Sequence, residues 1–218
     1  EASKNSNLDQ IIITSTSETY GSSQYSPMDE LHPLNAQSPY AASKVAADQL
    51  TLSYYRSFDL PIKIARPFNI YGPRQSLRAV IPSIILQCLK DINPIKLGNV
   101  ESNRDFTYVS DTCESIESIL NCSELFGEVV NIGNGNLISI KDLADLIFKK
   151  LEKSTSFSID KNRLRPEKSE VTSLLASTKK IYSKTNWQPK INISEGIDET
   201  INWMKENINS YNSINYTV

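Results

Sequence analysis

Residues 11–21 read IIITSTSETYG, residues 38–44 read SPYAASK and residues 62–65 read IKIA. Ile11 to Thr14 form a short, β-branched apolar run between polar neighbours, which predicts a buried strand of a parallel sheet. The segment from Ser15 to Gln37 is rich in Ser, Pro and Asn, and loops of that length tend to be functional or disordered. Ser38 then supplies a capping hydroxyl and Pro39 a proline at the first helical position. The helix is predicted to run to about Phe58, where Leu60-Pro61 closes it, and Ile62 to Ala65 is the next buried strand. Strand, loop, helix, strand is a βαβ unit with a right-handed crossover. The fold class is α/β.

Further along, Val80, Ile81, Ile84, Ile85, Cys88 and Leu89 follow a helical period. Asp111 is expected to cap another helix, with Cys113, Ile116, Ile119 and Leu120 facing inward. Val129 to Ile132 reads as a strand, and Ser139 with Asp142 as a capping box opening a helix through Leu143, Ile147 and Leu151. A late helix carries Ile197, Ile201, Met204 and Ile208 on one face, and a frayed polar tail is expected after about residue 209. No internal repeat is visible.

The 218 residues are 39% hydrophobic and 22% charged, enough to bury a core. With 23 basic against 25 acidic side chains the formal net charge is -2, so charge gives no reason to expect nucleic acid or an anionic membrane as partner. No apolar run approaches the ~20 residues that span a bilayer, and EASKNSNLDQ is not a signal-peptide pattern. The three cysteines, Cys88, Cys113 and Cys122, have no metal-ligand spacing and read as buried thiols of a reducing, cytoplasmic compartment. No metal site is expected.

Four constellations carry chemistry. Tyr40 and Lys44 share one helix face, and an ammonium beside a phenol favours the phenolate, a useful base. A bare YxxxK pair is more often plain helix surface. Thr16-Ser17-Glu18 lies just past the first strand, at the end of a parallel sheet where ligands bind, although a polar loop start explains it as well. In Arg66-Pro67-Phe68-Asn69-Ile70-Tyr71-Gly72-Pro73-Arg74 a turn accounts for Tyr71-Gly72-Pro73 but not for Asn69 or the arginines. Arg104 in RDFTYV and Arg163 and Arg165 in RLRPE suit phosphate oxygens, with surface ion pairing to Asp105 or Glu167 as the ordinary alternative.

In this order STSETYG, SPYAASK, RPFNIYGPR, RDFTYVSD, VVNIGNG, RLRPEKSEV and NWQPKINISEGIDETINW resemble the extended short-chain dehydrogenase/reductase family over nearly the whole chain. Within it the chain looks most like NAD-dependent nucleotide-sugar 4,6-dehydratases, of the N-acetylglucosamine type found in legionaminic acid and related bacterial surface-sugar pathways. The resemblance implies the C-terminal part of a Rossmann-like parallel sheet with a smaller α/β substrate lobe. Residues 1–75 would form the partial NAD-binding domain, with 107–133 returning to it, and 76–218 mainly the substrate lobe.

The resemblance also implies roles. Tyr40 would take the sugar 4-hydroxyl proton and Thr16 would hydrogen-bond that hydroxyl. Lys44 would hold the nicotinamide ribose and favour the Tyr40 phenolate, with Tyr40, Lys44 and Ser15 as the cofactor contacts. Glu18 would remove the C5 proton and help expel water from C6. Ser17, Asn69, Arg74, Arg104 and Arg165 would bind substrate, a UDP- or GDP-activated N-acetylhexosamine, in a homodimer. Ser17 stands where many dehydratases have an aspartic acid, so the acid for the C6 hydroxyl is open. Epimerases have no use for a C5 base. Decarboxylases share Thr-Ser-Glu and need an arginine, for which Arg74 or Arg78 could serve. A non-catalytic nucleotide-sugar binder is the alternative from another class.

The seven glycines, at 21, 72, 98, 127, 133, 135 and 196, have no dinucleotide-loop spacing. The family's opening strand, glycine loop and helix are thus expected to be absent, with the chain part of a longer enzyme and inactive alone. Its first strand would then present an apolar edge.

Overall fold

The computed structural model describes residues 2–5, 7–164, 166 and 171–211. In chain order its elements are β1 (Ile11–Thr14), α1 (Pro39–Phe58), β2 (Ile62–Pro67), β3 (Asn69–Tyr71), α2 (Val80–Leu89), β4 (Ile95–Leu97), β5 (Asn103–Tyr108) and α3 (Val109–Leu120). They continue with β6 (Val129–Ile132), β7 (Leu137–Ser139), α4 (Ile140–Lys150), β8 (Phe157–Ile159), β9 (Ser173–Leu174), α5 (Lys179–Thr185) and α6 (Ile193–Glu206).

The expected βαβ unit is present. Ser38 caps α1 by accepting the Ala41 N–H at 3.1 Å, and the helix ends at Asp59 in the left-handed region. β1, β2 and β6 form a three-stranded parallel sheet in that spatial order, with Thr14 opposite Ala65 and Arg66 opposite Asn131. β2 lies in the middle and is buried along its length, as a parallel strand covered on both faces should be. β1 is an edge strand: Ile11 to Ile13 are only half-buried and Thr14 is exposed. The outer edge of β6 is closed by side chains, Lys180 donating to the Val129 carbonyl and Asn131 N–H donating to Glu30, each at 2.8 Å.

A second sheet runs β3–β5–β7, with β3 parallel and β7 antiparallel to β5; β9 pairs in parallel with the start of β5, while β4 and β8 pair separately in parallel. α2, α4 and α6 pack together around Ile81, Ile84, Ile85, Leu143, Ile147 and Ile197, all fully buried. At about 1.5–3 kcal/mol for each such side chain, this is the main apolar store of the second half. α6 comes so close to β3 that a Cβ on Gly196 would lie 2.1 Å from the Tyr71 hydroxyl oxygen.

Four local expectations are corrected. α3 starts at Val109 with Tyr108 as its cap, and Asp111 sits in the first turn, where its carboxylate accepts the N–H groups of Lys190 and Ile191 at 3.1 and 3.0 Å. The buried residues of α3 are Asp111, Thr112, Ser115 and Ile119; Ile116 packs half-buried against the core as expected, while Cys113 faces outward. Of the cysteines only Cys88 is buried; Cys122 is half-buried. The segment 15–37, read as loop, contains a 3₁₀ turn over Ser17–Tyr20. Among the described residues no helix is long and apolar enough to cross a membrane, and no cluster of His, Cys, Asp or Glu could hold a metal ion.

Candidate active site

The site grows from the C-terminal end of β1. Thr16 caps the 3₁₀ turn Ser17–Tyr20, its hydroxyl oxygen accepting the Glu18 N–H at 3.3 Å, and Thr19 donates its hydroxyl back to the Thr16 carbonyl at 2.8 Å. This turn packs against α1. Glu18 is half-exposed on it, whereas Ser17 is buried. From α1, Lys44 donates its ammonium to the carbonyl of Thr14, the last residue of β1, at 3.1 Å. The same nitrogen lies 6.0 Å from the centre of the Tyr40 ring, one helical turn earlier. Tyr40 is 52% exposed, so its hydroxyl can meet a ligand. Thr16, Glu18, Tyr40 and Lys44 therefore belong to one junction of strand end, turn and helix. A phenol and an ammonium one turn apart are a donor set suited to neighbouring hydroxyls, such as those of a ribose.

Ser15 points elsewhere. It is buried, and its hydroxyl donates to Asp48 on α1 at 2.7 Å instead of facing outward. The same Asp48 oxygen receives Arg66 of β2 at 2.6 Å, with the two side chains 1% and 3% exposed. The Arg66 guanidinium lies 4.6 Å from the centre of the Tyr20 ring, and the Tyr20 hydroxyl donates to Asn131 at 2.8 Å. Burial raises the Tyr20 pKa, opposed by the Arg66 charge, so this phenol is a structural donor. Burial likewise raises Glu30, against the Asn131 N–H it accepts.

A second group of polar and charged side chains lines a cleft of about 290 Å³. Asn69, two residues past the end of β2, donates to the Asp105 carbonyl at 3.2 Å and shares this cleft with Arg104, Arg78, Arg163 and Gln75. Arg104 donates to the Asn103 carbonyl at 2.9 Å, and Arg163 to the Ser83 hydroxyl at 2.9 Å. Of the substrate contacts expected from sequence, Asn69 and Arg104 come together here. Arg74 does not: it sits exposed on the turn at a φ of 67° and is not part of the lining. Arg165 lies outside the described residues. Among the described residues, Arg78 and Arg163 line the cleft beside Arg104.

Behind the cleft, Asp105 accepts N–H groups from Asn134, Gly135 and Ala176 at 2.8, 2.9 and 3.1 Å. Burial nevertheless pushes its pKa up to about 6, only partly offset by those bonds. Gly133 makes the packing possible, since a Cβ there would lie 2.2 Å from the Ala176 methyl and 2.8 Å from the Asp105 carboxylate.

The family model for GDP-mannose 4,6 dehydratase matches residues 1–200. The chain belongs to this family. Its members within the extended short-chain dehydrogenase/reductase group include dehydratases and epimerases of nucleotide sugars, and both appear among its relatives. The dTDP-D-glucose 4,6-dehydratase of Homo sapiens is 30% identical over 98% of this chain and 61% of its own length. The UDP-glucuronate 4-epimerase of Thermodesulfobacterium geofontis is 31% identical over 98% of this chain and 65% of its own. The crystal structure of UDP-glucuronic acid 4-epimerase from Bacillus cereus, in complex with UDP-glucuronic acid and NAD, superposes with a TM-score of 0.87. That structure is 29% identical, covering 94% of this chain and 64% of the neighbour's. The chain thus spans less than two thirds of the length of the relatives it matches.

Proposed function

We propose that this chain is part of an NAD-dependent nucleotide-sugar 4,6-dehydratase. The observation that carries the reading is the turn Thr16-Ser17-Glu18, packed at the end of β1 against the helix that presents Tyr40 and Lys44. The phenol–ammonium pair at the end of a parallel strand suits a nicotinamide ribose, with β1, β2 and β6 on the cofactor side and the arginine cleft on the nucleotide-sugar side. When bound, NAD supplies a place to store the C4 hydride and return it at C6.

Every other step belongs to the chain's own groups. Tyr40 accepts the 4-hydroxyl proton, Thr16 hydrogen-bonds that oxygen, and Lys44 stabilises the charge formed on the phenol. The C4 ketone acidifies C5. Glu18 takes the C5 proton and passes it to the departing C6 hydroxyl, which leaves as water; C5 regains a proton from solvent and Tyr40 releases its own. Asn69, Arg104, Arg78 and Arg163 hold the diphosphate side, with Arg165 a further candidate. We assign the substrate to UDP- or GDP-activated N-acetylhexosamines, the setting to cytoplasmic surface-sugar synthesis and the complete enzyme to a homodimer.

A second reading is a 4-epimerase. It draws on the buried Ser17, which offers no carboxylic acid for the C6 hydroxyl, and on the epimerase relative. Product analysis by NMR with the full-length protein separates them. A 4-keto-6-deoxy sugar supports the dehydratase, with Glu18→Gln abolishing C6 deoxygenation. A C4 epimer made equally well by Glu18→Gln refutes it.

A further inference from the structure

Tyr40, Lys44 and Asp48 follow one another at intervals of four along α1, so they share one face. Lys44 holds the carbonyl of Thr14 and Asp48 holds the hydroxyl of the next residue, Ser15. Asp48 is also paired to Arg66, and Arg66 lies over Tyr20, the last residue of the turn that bears Glu18. The turn is therefore held at both ends by one buried ion pair: Ser15 before it, Tyr20 at its close. We propose that Ser15, Asp48, Arg66 and Tyr20 are positioning residues that set Glu18 and Thr16 against Tyr40 and Lys44, and that Ser15 serves this ring and not the cofactor. The inference rests on the catalytic roles given above for those four residues. A charged pair sealed between helix and strand is a costly way to fill space, since well-packed apolar side chains of similar volume often stabilise such sites as well or better. What the pair adds is direction: it joins three chain segments at fixed hydrogen-bonding angles.

Ser15→Ala in the full-length protein is the test, because it removes one hydroxyl while leaving the Asp48–Arg66 pair intact. Two readouts are needed. In hydrogen exchange, the Thr19 and Gly21 amides, bonded to the Thr16 and Glu18 carbonyls, should exchange about tenfold faster, while those of α1 are unchanged. In turnover, kcat should fall about tenfold with KM within twofold. The isotope effect on C5-deuterated substrate should rise, and Ser15→Thr should restore all of these. Unchanged exchange at Thr19 and Gly21 overturns the proposal whatever the enzyme makes. So does kcat within twofold of wild type, or a loss that Ser15→Thr does not rescue. If the wild-type protein yields an epimer, or no product, the dehydratase reading fails and the exchange experiment alone decides the positioning claim.

Discussion

Asp48 and Arg66 meet at 2.6 Å where α1 crosses β2, each almost wholly out of water. Removing one partner strands the other charge. Asp48→Ala should lower the unfolding free energy by about 3–5 kcal/mol, while Asp48→Leu combined with Arg66→Met should lose far less. Urea unfolding of the single and double variants checks this. A double variant no better than the singles would contradict it.

Tyr40 is half-exposed, so its hydroxyl contributes little to stability. Tyr40→Phe should cut kcat of the full-length enzyme by about 10²–10⁴-fold, the usual worth of a placed acid or base, and leave the melting temperature unchanged. Turnover of nucleotide sugar and a thermal melt on the same preparation decide it.

The arginine cleft should act on binding. Hydrogen bonds to a charged group are worth about 1.5–3 kcal/mol, so Arg104→Ala or Arg163→Ala should raise KM roughly tenfold to a hundredfold. Arg74→Ala, outside the lining, should leave KM within twofold. Initial rates at several salt concentrations are the measurement, since screening should weaken the first effect and not the second.

Asp105 makes stability depend on pH in a definite direction. Its folded pKa of about 6 lies above the ordinary 3.8, so the folded chain holds a proton that the unfolded chain has released. This contribution is fully present below about pH 4 and is lost as pH rises through 6. The stability of wild type minus that of Asp105→Asn should therefore fall between pH 4 and pH 6 and be flat above pH 7. Denaturant titrations of both proteins across that range check the sign.

Lys63 is a buried cation on β2 that donates to the carbonyls of Ile119 and Leu120 at 3.0 and 2.8 Å, closing the end of α3. Lys63→Met keeps the stem but takes the donor from the Leu120 carbonyl, while the Ile119 carbonyl keeps the Cys122 N–H at 3.2 Å, so it should cost about 1–3 kcal/mol. Calorimetric melting measures it.

The local signals in the sequence fared best where one residue type does one job. Ser38-Pro39 announced α1, Ser139 announced α4, and the β-branched runs at 11–14 and 62–65 announced adjacent parallel strands. Tyr40 and Lys44 were readable because a single helix face fixes their separation. What stayed hidden depends on contacts between segments distant in sequence. Nothing local to Asp105 reveals that Asn134, Gly135 and Ala176 converge on it. Arg78 and Arg163 stand 85 positions apart, and only the folded chain brings both to one cleft with Arg104. Asp48 did leave a trace, as a charge on the inward face of α1 four residues after Lys44. The half-burial of β1 and the outward face of Cys113 come from which neighbours each element has, a property of topology and not of pattern.

Glu30 and Lys180 make the first sheet one-sided. With their side chains occupying the Asn131 amide and the Val129 carbonyl, nothing can hydrogen-bond along that margin without first dislodging them. Any additional strand has to enter beside Ile12. The sheet can be lengthened in a single direction, and endless stacking through both margins, the geometry of a fibre, is obstructed by two half-buried charged side chains.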